Sequence, residues 1–426
     1  MGLHSCLLLL GGVLFVTSPS VLGQTQTEAA RALGSALQTR DESAVRAAVA
    51  AGLRALGDQA GVPEIADRPQ APARGDTRPL TRAEAEAGFE LLLRVVQQKK
   101  WWRIGQDPTQ TPHLPREVAT VIEGCVAGCR VQAPNRAALL REAVEAGDYL
   151  LWTQQQAGTG GIPFPAVRGG RGPAFEAADR FLKHATESGR LAGILRNGWA
   201  IDDGDNGGLQ FDNGLGGVAL IELFQLTGEP RFRSGAIAAA DWAVARPCVP
   251  NWNYNSFSVH LLARAFAMTG DTRHLEAARE KTRLGILPGQ LITGPRSGRW
   301  MDAHNARPAY HYLLIRGLLS LLAVLPEDAP DRPIVARAIQ QAMKARNPDF
   351  AREGLLNVDS AMEALQVHRS LPPGLTRLIG PCEAESAWSI LESHCLSRLR
   401  RDQGPFSPGL GGRYFESVLR RTPVPQ

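Results

Sequence analysis

The chain has 426 residues, 44% of them hydrophobic and 21% charged, with a formal net charge of +5. That length suits one large or two ordinary domains, and beyond the first two dozen residues no apolar run is long enough to span a membrane. The basic residues are scattered, with no Lys/Arg stripe interleaved with aromatics, which argues against nucleic acid and leaves a mild field favouring an anionic partner.

Residues 1–23 read as a secretory signal, with Leu-rich Leu7–Val16 followed by Val21-Leu22-Gly23 before Gln24. A secreted or periplasmic protein is expected. Five cysteines then remain, Cys125, Cys129, Cys248, Cys382 and Cys395, an odd and small number that is no disulfide framework. Cys382, His394 and Cys395 have zinc-like types but lack a fourth ligand at metal spacing. Residues 24–79 form an N-terminal segment: an Ala-rich helical stretch over Thr27–Leu56, then Gly61–Pro79, a proline-bearing linker or extended wrap. The main domain is 80–426. Within it Thr81 caps a helix reaching Lys100, Glu117–Val131 follows, and Asn135 caps Arg136–Gln156. Gly158–Gly172 is Gly/Pro-rich, Ala174–Leu195 is helical, and strand signals are almost absent.

A repeat begins next. Thr227-Gly228-Glu229-x-Arg231 recurs 42 positions on as Thr269-Gly270-Asp271-x-Arg273, and the same offset carries Asn213 onto Asn255 and Leu220/Phe224 onto Leu262/Phe266. A stretched third unit starts at Trp300, where His311 falls roughly on the two asparagines. The first helix of each unit, Val218–Leu226, Phe257–Met268 and Tyr310–Leu325, is apolar nearly all round and must be buried. The second, Arg231–Ala245, Thr272–Leu284 and Asp331–Arg346, is more amphipathic. Helix pairs at a period of about 40 residues predict an all-α fold, an α/α toroid of inner buried and outer amphipathic helices.

The chemistry gathers where these inner helices begin. Asp202, Asp203, Asp205 and Asp212 stand in a Gly-rich loop, either a solvated turn or a mouth for a polar ligand. Calcium wants six to eight oxygens, so these four are its candidate ligands, although the loop is no EF-hand. A second set comes from two later helix starts: Trp252, Tyr254, Asn255 and His260, then His304, Asn305, Tyr310, His311, Tyr312 and Arg316.

With Gly160-Gly161-Ile162-Pro163, Phe211-Asp212-Asn213-Gly214 and the Thr-Gly-acid turn in place, residues 145–290 resemble the toroidal pectic acid lyases of polysaccharide lyase family 10. Ile162 stands where that family has Trp, and Gly214 is followed by Leu-Gly-Gly rather than a Thr-rich start. The wider six-hairpin glycosidases share the turn and the glycine loops. The resemblance implies β-elimination on an acidic polysaccharide or oligosaccharide, with Ca²⁺ as a candidate cofactor and an arginine, here Arg316, as base. A metal-free route would instead use Asn255 and Arg316 to neutralise the sugar carboxylate while Tyr254, His304 or His311 moves the proton. Asn213, Trp252, Asn305, Tyr310 and Trp300 are then substrate-binding candidates. A hydrolase on the same scaffold would pair Asp203 or Asp205 with Asp302. A non-catalytic glycan- or protein-binding scaffold is the third possibility, and a monomer is expected throughout.

Overall fold

The structure is a computed structural model that describes residues 21–55, 78–100, 102–110, 115–166, 173–203, 207–301, 305, 308–353, 358–375 and 407–421. The signal segment before Val21, the linker over 56–77, Asp205, Asp302, His304 and the Cys382–Cys395 cluster lie outside the described residues. The fold is all-α, as the sequence predicts. In chain order the helices are α1 (Val21–Gln38), α2 (Glu42–Ala55), α3 (Arg82–Gln98), α4 (Pro115–Arg130), α5 (Arg136–Ala157), α6 (Pro173–Glu187) and α7 (Leu191–Ile194). They continue as α8 (Gly208–Thr227), α9 (Pro230–Ala245), α10 (Trp252–Thr269), α11 (Thr272–Gly285), α12 (Pro308–Val324), α13 (Arg332–Glu353), α14 (Val358–Ser370) and α15 (Pro408–Arg421). No helix among the described residues is long and apolar enough to cross a membrane.

The chain divides into two compact units: Leu80–Ala245 with Pro405–Gln426, and Val16–Pro79 with Arg246–Gly404. In the first, α4 packs against α15 and α8, with α5 and α9 covering α4 and α8. In the second, α10 packs against α12 and α12 against α14, while α11 and α13 cover α10 and α12. Gly317 sets the α10–α12 spacing, because a Cβ there would meet Ser256 Oγ at 2.2 Å. Ser256 then donates to the Leu313 carbonyl at 3.0 Å, so its hydroxyl is satisfied inside the contact.

The repeated turn is explained residue by residue. Gly228 and Gly270 close α8 and α10 in the left-handed conformation, at φ 74° and 72°, which a side chain would strain. Thr227 and Thr269 donate to the carbonyls four residues back, at 2.8 Å each. Their hydroxyls also accept from the Glu229 and Asp271 amides at 3.2 and 3.1 Å. Arg231 and Arg273 pair with those same acids at 2.8 and 2.6 Å. The motif is thus a helix-reversal device, complete without any ligand.

Three expectations about elements change. Helices α8 and α10 start at Gly208 and Trp252, earlier than the apolar periodicity suggests, so Asp212, Asn213, Tyr254 and Asn255 lie inside helices rather than in loops. Asn135 does not cap α5: its side chain donates to the Phe89 carbonyl at 3.1 Å. The helix expected to reach Leu195 gives way to a small antiparallel sheet, with β1 (Phe164–Pro165) and β2 (Leu195–Arg196) both paired to β3 (Trp199–Ala200). Asn197 and Gly198, at φ 51° and 80°, make the two-residue turn whose backbone twist suits such a hairpin. Thr81 caps α3 as expected, with the reciprocal bond from Glu84.

Candidate functional site

Asp212 and Asn213 are buried on α8. Both oxygens of Asp212 are held by Arg116 at the start of α4: Nε lies 2.9 Å from Oδ1, Nη2 reaches Oδ2, and the Arg116 amide adds a 3.3 Å bond. The guanidinium also stacks 4.0 Å above the Phe211 ring. Asp203 Oδ2 accepts the Leu209 amide at 2.6 Å, satisfying one of the orphan donors of α8 where Gly207 has no side chain to offer. A cation at Asp212 would have to displace a bidentate guanidinium, and one at Asp203 a helix amide.

Asn213 and Asn255 do the same work in their two units. The Asn213 oxygen accepts the Ile162 amide at 3.0 Å, and its nitrogen donates to the Ala239 carbonyl of α9 at 2.9 Å. The Asn255 oxygen accepts the Val249 amide at 3.0 Å, and its nitrogen donates to the carbonyls of Val249 and of Gly285 in α11, both at 2.8 Å. Each ties an inner helix to the incoming loop and to its outer partner. His311 completes the series, with Nε2 2.9 Å from the Ala342 carbonyl of α13. Matching the notion of a shared repeat, all three side chains brace hairpins.

The aromatic candidates are packed inside. Trp252 and Trp300 are fully buried, and Trp300 donates to the Ile286 carbonyl at 3.1 Å while meeting His311 edge to face. Tyr254 and Tyr310 are buried as well. Asn305 accepts both the amide and the side-chain nitrogen of Asn253, at 3.0 and 2.9 Å, and so fastens its loop to the start of α10.

Burial pushes the His311 imidazole well below its ordinary pKa, with Arg346 adding repulsion, and burial alone takes His368 down to about 4. Both rings stay neutral in the folded protein, whereas in the unfolded chain they protonate near pH 6.5. Stability is therefore present above that pH and lost as pH falls. His368 alone should withdraw about 3 kcal/mol between pH 6.5 and 4. Denaturant unfolding of His368→Leu against the parent across that range should show a visibly shallower loss for the variant; parallel curves would refute it.

Arg316 is different. It lies midway along α12, partly exposed on a helix whose other central residues are almost all buried. It touches α14 through one nitrogen only, with Nη1 3.3 Å from the Glu363 carboxylate. Among the described residues, Nε and Nη2 have no partner, so a donor edge remains for another anion. One turn further on, Ser320 donates to the Arg316 carbonyl at 3.0 Å and meets His260 Nδ1 of α10 at 2.7 Å. Arg316, Ser320, His260 and Glu363 thus form one polar group across three inner helices. The sequence singled out Arg316 and His260 but missed Ser320, Glu363 and Arg116, whose partners are 60, 47 and 96 positions away.

No protein-family model matches this chain, and no curated protein matches it. Solved structures that it resembles include a glycosyl hydrolase family 88 protein from Bacteroides vulgatus, at 11% identity and TM-score 0.46, covering 79% of this chain and 98% of that one. A polysaccharide lyase aligns at 10% identity and TM-score 0.48, covering 81% and 99%. An α-1,6-mannanase from Salegentibacter sp. HEL1_6 aligns at 12% identity and TM-score 0.32, covering 74% and 99%.

Proposed function

We propose that this chain is an exported, monomeric carbohydrate-active enzyme of the α/α-toroid class that cleaves a uronic-acid-containing polysaccharide by β-elimination. Arg316 carries the reading. Its single bond among the described residues, to Glu363, orients the guanidinium and leaves Nε and Nη2 for a second anion. A sugar carboxylate is such an anion. Charge builds on it as the neighbouring proton departs, and a fixed guanidinium stabilises that charge where it develops. In this reading Asn213, Asn255 and His311 brace the scaffold, and no step requires calcium.

Incubation with polygalacturonate, alginate and a neutral glycan, with and without chelator, tests this. Ultraviolet absorbance from an unsaturated product should appear on a uronate polymer alone and should survive the chelator. Arg316→Lys keeps the charge near Glu363 but loses the planar donor edge, so kcat/KM should fall about 10- to 100-fold. New reducing ends without unsaturation would mean a hydrolase, and binding without turnover a scaffold; either result overturns the proposal.

A further inference from the structure

We infer that the α1–α2 hairpin is a strap that an acidic polysaccharide releases by competing for Arg40 and Arg283. The ligand class rests on the uronate reading above, and the strap itself on geometry. Two reciprocal ion pairs fasten the hairpin to α11. Arg40 donates Nε to Glu280 Oε1 at 2.6 Å and Nη2 to Oε2, while Arg283 Nη1 lies 3.1 Å from Glu42 Oε2. Glu280 and Arg283 are three apart on α11 and so share a face. Each side offers one acid and one base, which fixes how the hairpin sits on α11. Arg40 holds a left-handed φ of 56° at the turn between the two helices, uncommon for a residue with a side chain. Where the hairpin approaches the loops ahead of α10 and α12, it does so at glycines. A Cβ at Gly34 would lie 4.0 Å from Pro250, and one at Gly52 3.9 Å from Met301. Glycine brings no side chain to these contacts, which leaves the ion pairs a large share of the docking.

Both latch arginines face solvent, with side chains 73% and 48% exposed. Among the described residues, Arg40 Nη1 and Arg283 Nε and Nη2 have no partner. A carboxylate from solvent can bind at these open donors and then displace Glu280 or Glu42. Surface pairs of this kind are weak and screened by salt, so the exchange is within such a ligand's reach. A polyuronate presents carboxylates in series and engages both arginines, whereas a free uronate engages one. Cys248 reports the state of the strap. It is buried two residues before Pro250, and burial raises its thiol pKa while the charges of Lys281, Glu280, Arg40 and Arg283 act on it. The latch residues therefore surround this thiol when the strap is closed. Opening uncovers it, and a reagent that alkylates only the open form reads the opening equilibrium.

The test uses the full chain and iodoacetamide, with peptide mapping to read each cysteine. Glu280→Gln, which removes one pair and keeps the shape, should raise the alkylation rate of Cys248 about 5-fold. Arg40→Glu combined with Glu280→Arg should return it to the wild-type rate. Cys125 and Cys129, buried on α4, should stay unchanged throughout. In the wild-type chain, polygalacturonate should raise the Cys248 rate about 3-fold beyond sodium chloride or galacturonate at equal ionic strength, and dextran should not raise it. A Cys248 rate indifferent to Glu280→Gln would overturn the strap, and a polygalacturonate effect no larger than that of salt would overturn its release by a polyanion. Unsaturated product from a uronate polymer that leaves Cys248 unmoved sinks this inference alone. A strap that opens to polygalacturonate without unsaturated product from any uronate sinks the elimination reading alone.

Discussion

Replacing Asn255 with Ala should lower the stability of the protein by about 3–5 kcal/mol, measured by urea unfolding followed through tryptophan fluorescence. The reason is an unusual concentration of backbone bonds on one side chain. The Val249 amide, the Val249 carbonyl and the Gly285 carbonyl all depend on it, and the residue is fully buried. Truncation strands one donor and two acceptors away from water, each costing about 1–3 kcal/mol before relaxation. Asn255→Asp separates bonding from volume. It keeps the acceptor and the shape but turns a carboxylate oxygen toward two carbonyl oxygens. It should be at least as damaging as Ala. The same change at Asn213, where one carbonyl rather than two is served, should be milder. If Asn255 were instead a substrate contact free of structural duty, Asn255→Ala would leave the unfolding midpoint where it was.

This dual identity explains what the sequence could and could not reveal. The Thr-Gly-acid-Arg turn was legible because the bonds that repeat in it are local, spanning four residues or fewer in α8–α9 and α10–α11, whereas the further pair of Arg231 with Asp148 was not. The repeat of Asn213 and Asn255 was visible too, but its meaning was not. A buried polar side chain on an apolar helix looks the same whether it serves a ligand or a backbone carbonyl, and the carbonyls of Ala239 and Gly285 carry no sequence signature. The early starts of α8 and α10 were hidden because Gly214, Gly216 and Gly217, or Trp252-Asn253-Tyr254-Asn255, are weak helix formers that tertiary burial overrides. The Asn197-Gly198 turn is present in the sequence, but its flanking strands are only two residues long and carry no alternating pattern to mark a hairpin.

Asp212 shows the limit most clearly, and yields the second large expectation. In the sequence it is one more acid in a Gly-rich stretch, and nothing there points to Arg116. In the structure the pair joins α4 to α8, with the carboxylate wholly buried and the arginine side chain 15% exposed. Asp212→Ala should cost about 3–5 kcal/mol, nearer the lower figure because water can still reach part of the stranded guanidinium. Arg116→Met should cost a similar amount, since it leaves an uncompensated carboxylate with no exposure at all and removes the stacking on Phe211. The double variant Arg116→Met with Asp212→Leu should recover most of the loss, because neither buried charge then lacks its partner and apolar volume replaces both. A double-mutant cycle on urea midpoints reads this directly. Additive costs would mean that the two charges are solvated independently. The Asp212 carboxylate would then be open to a cation after all, and calcium, rather than Arg316 alone, would have to be reconsidered as the group that neutralises the substrate.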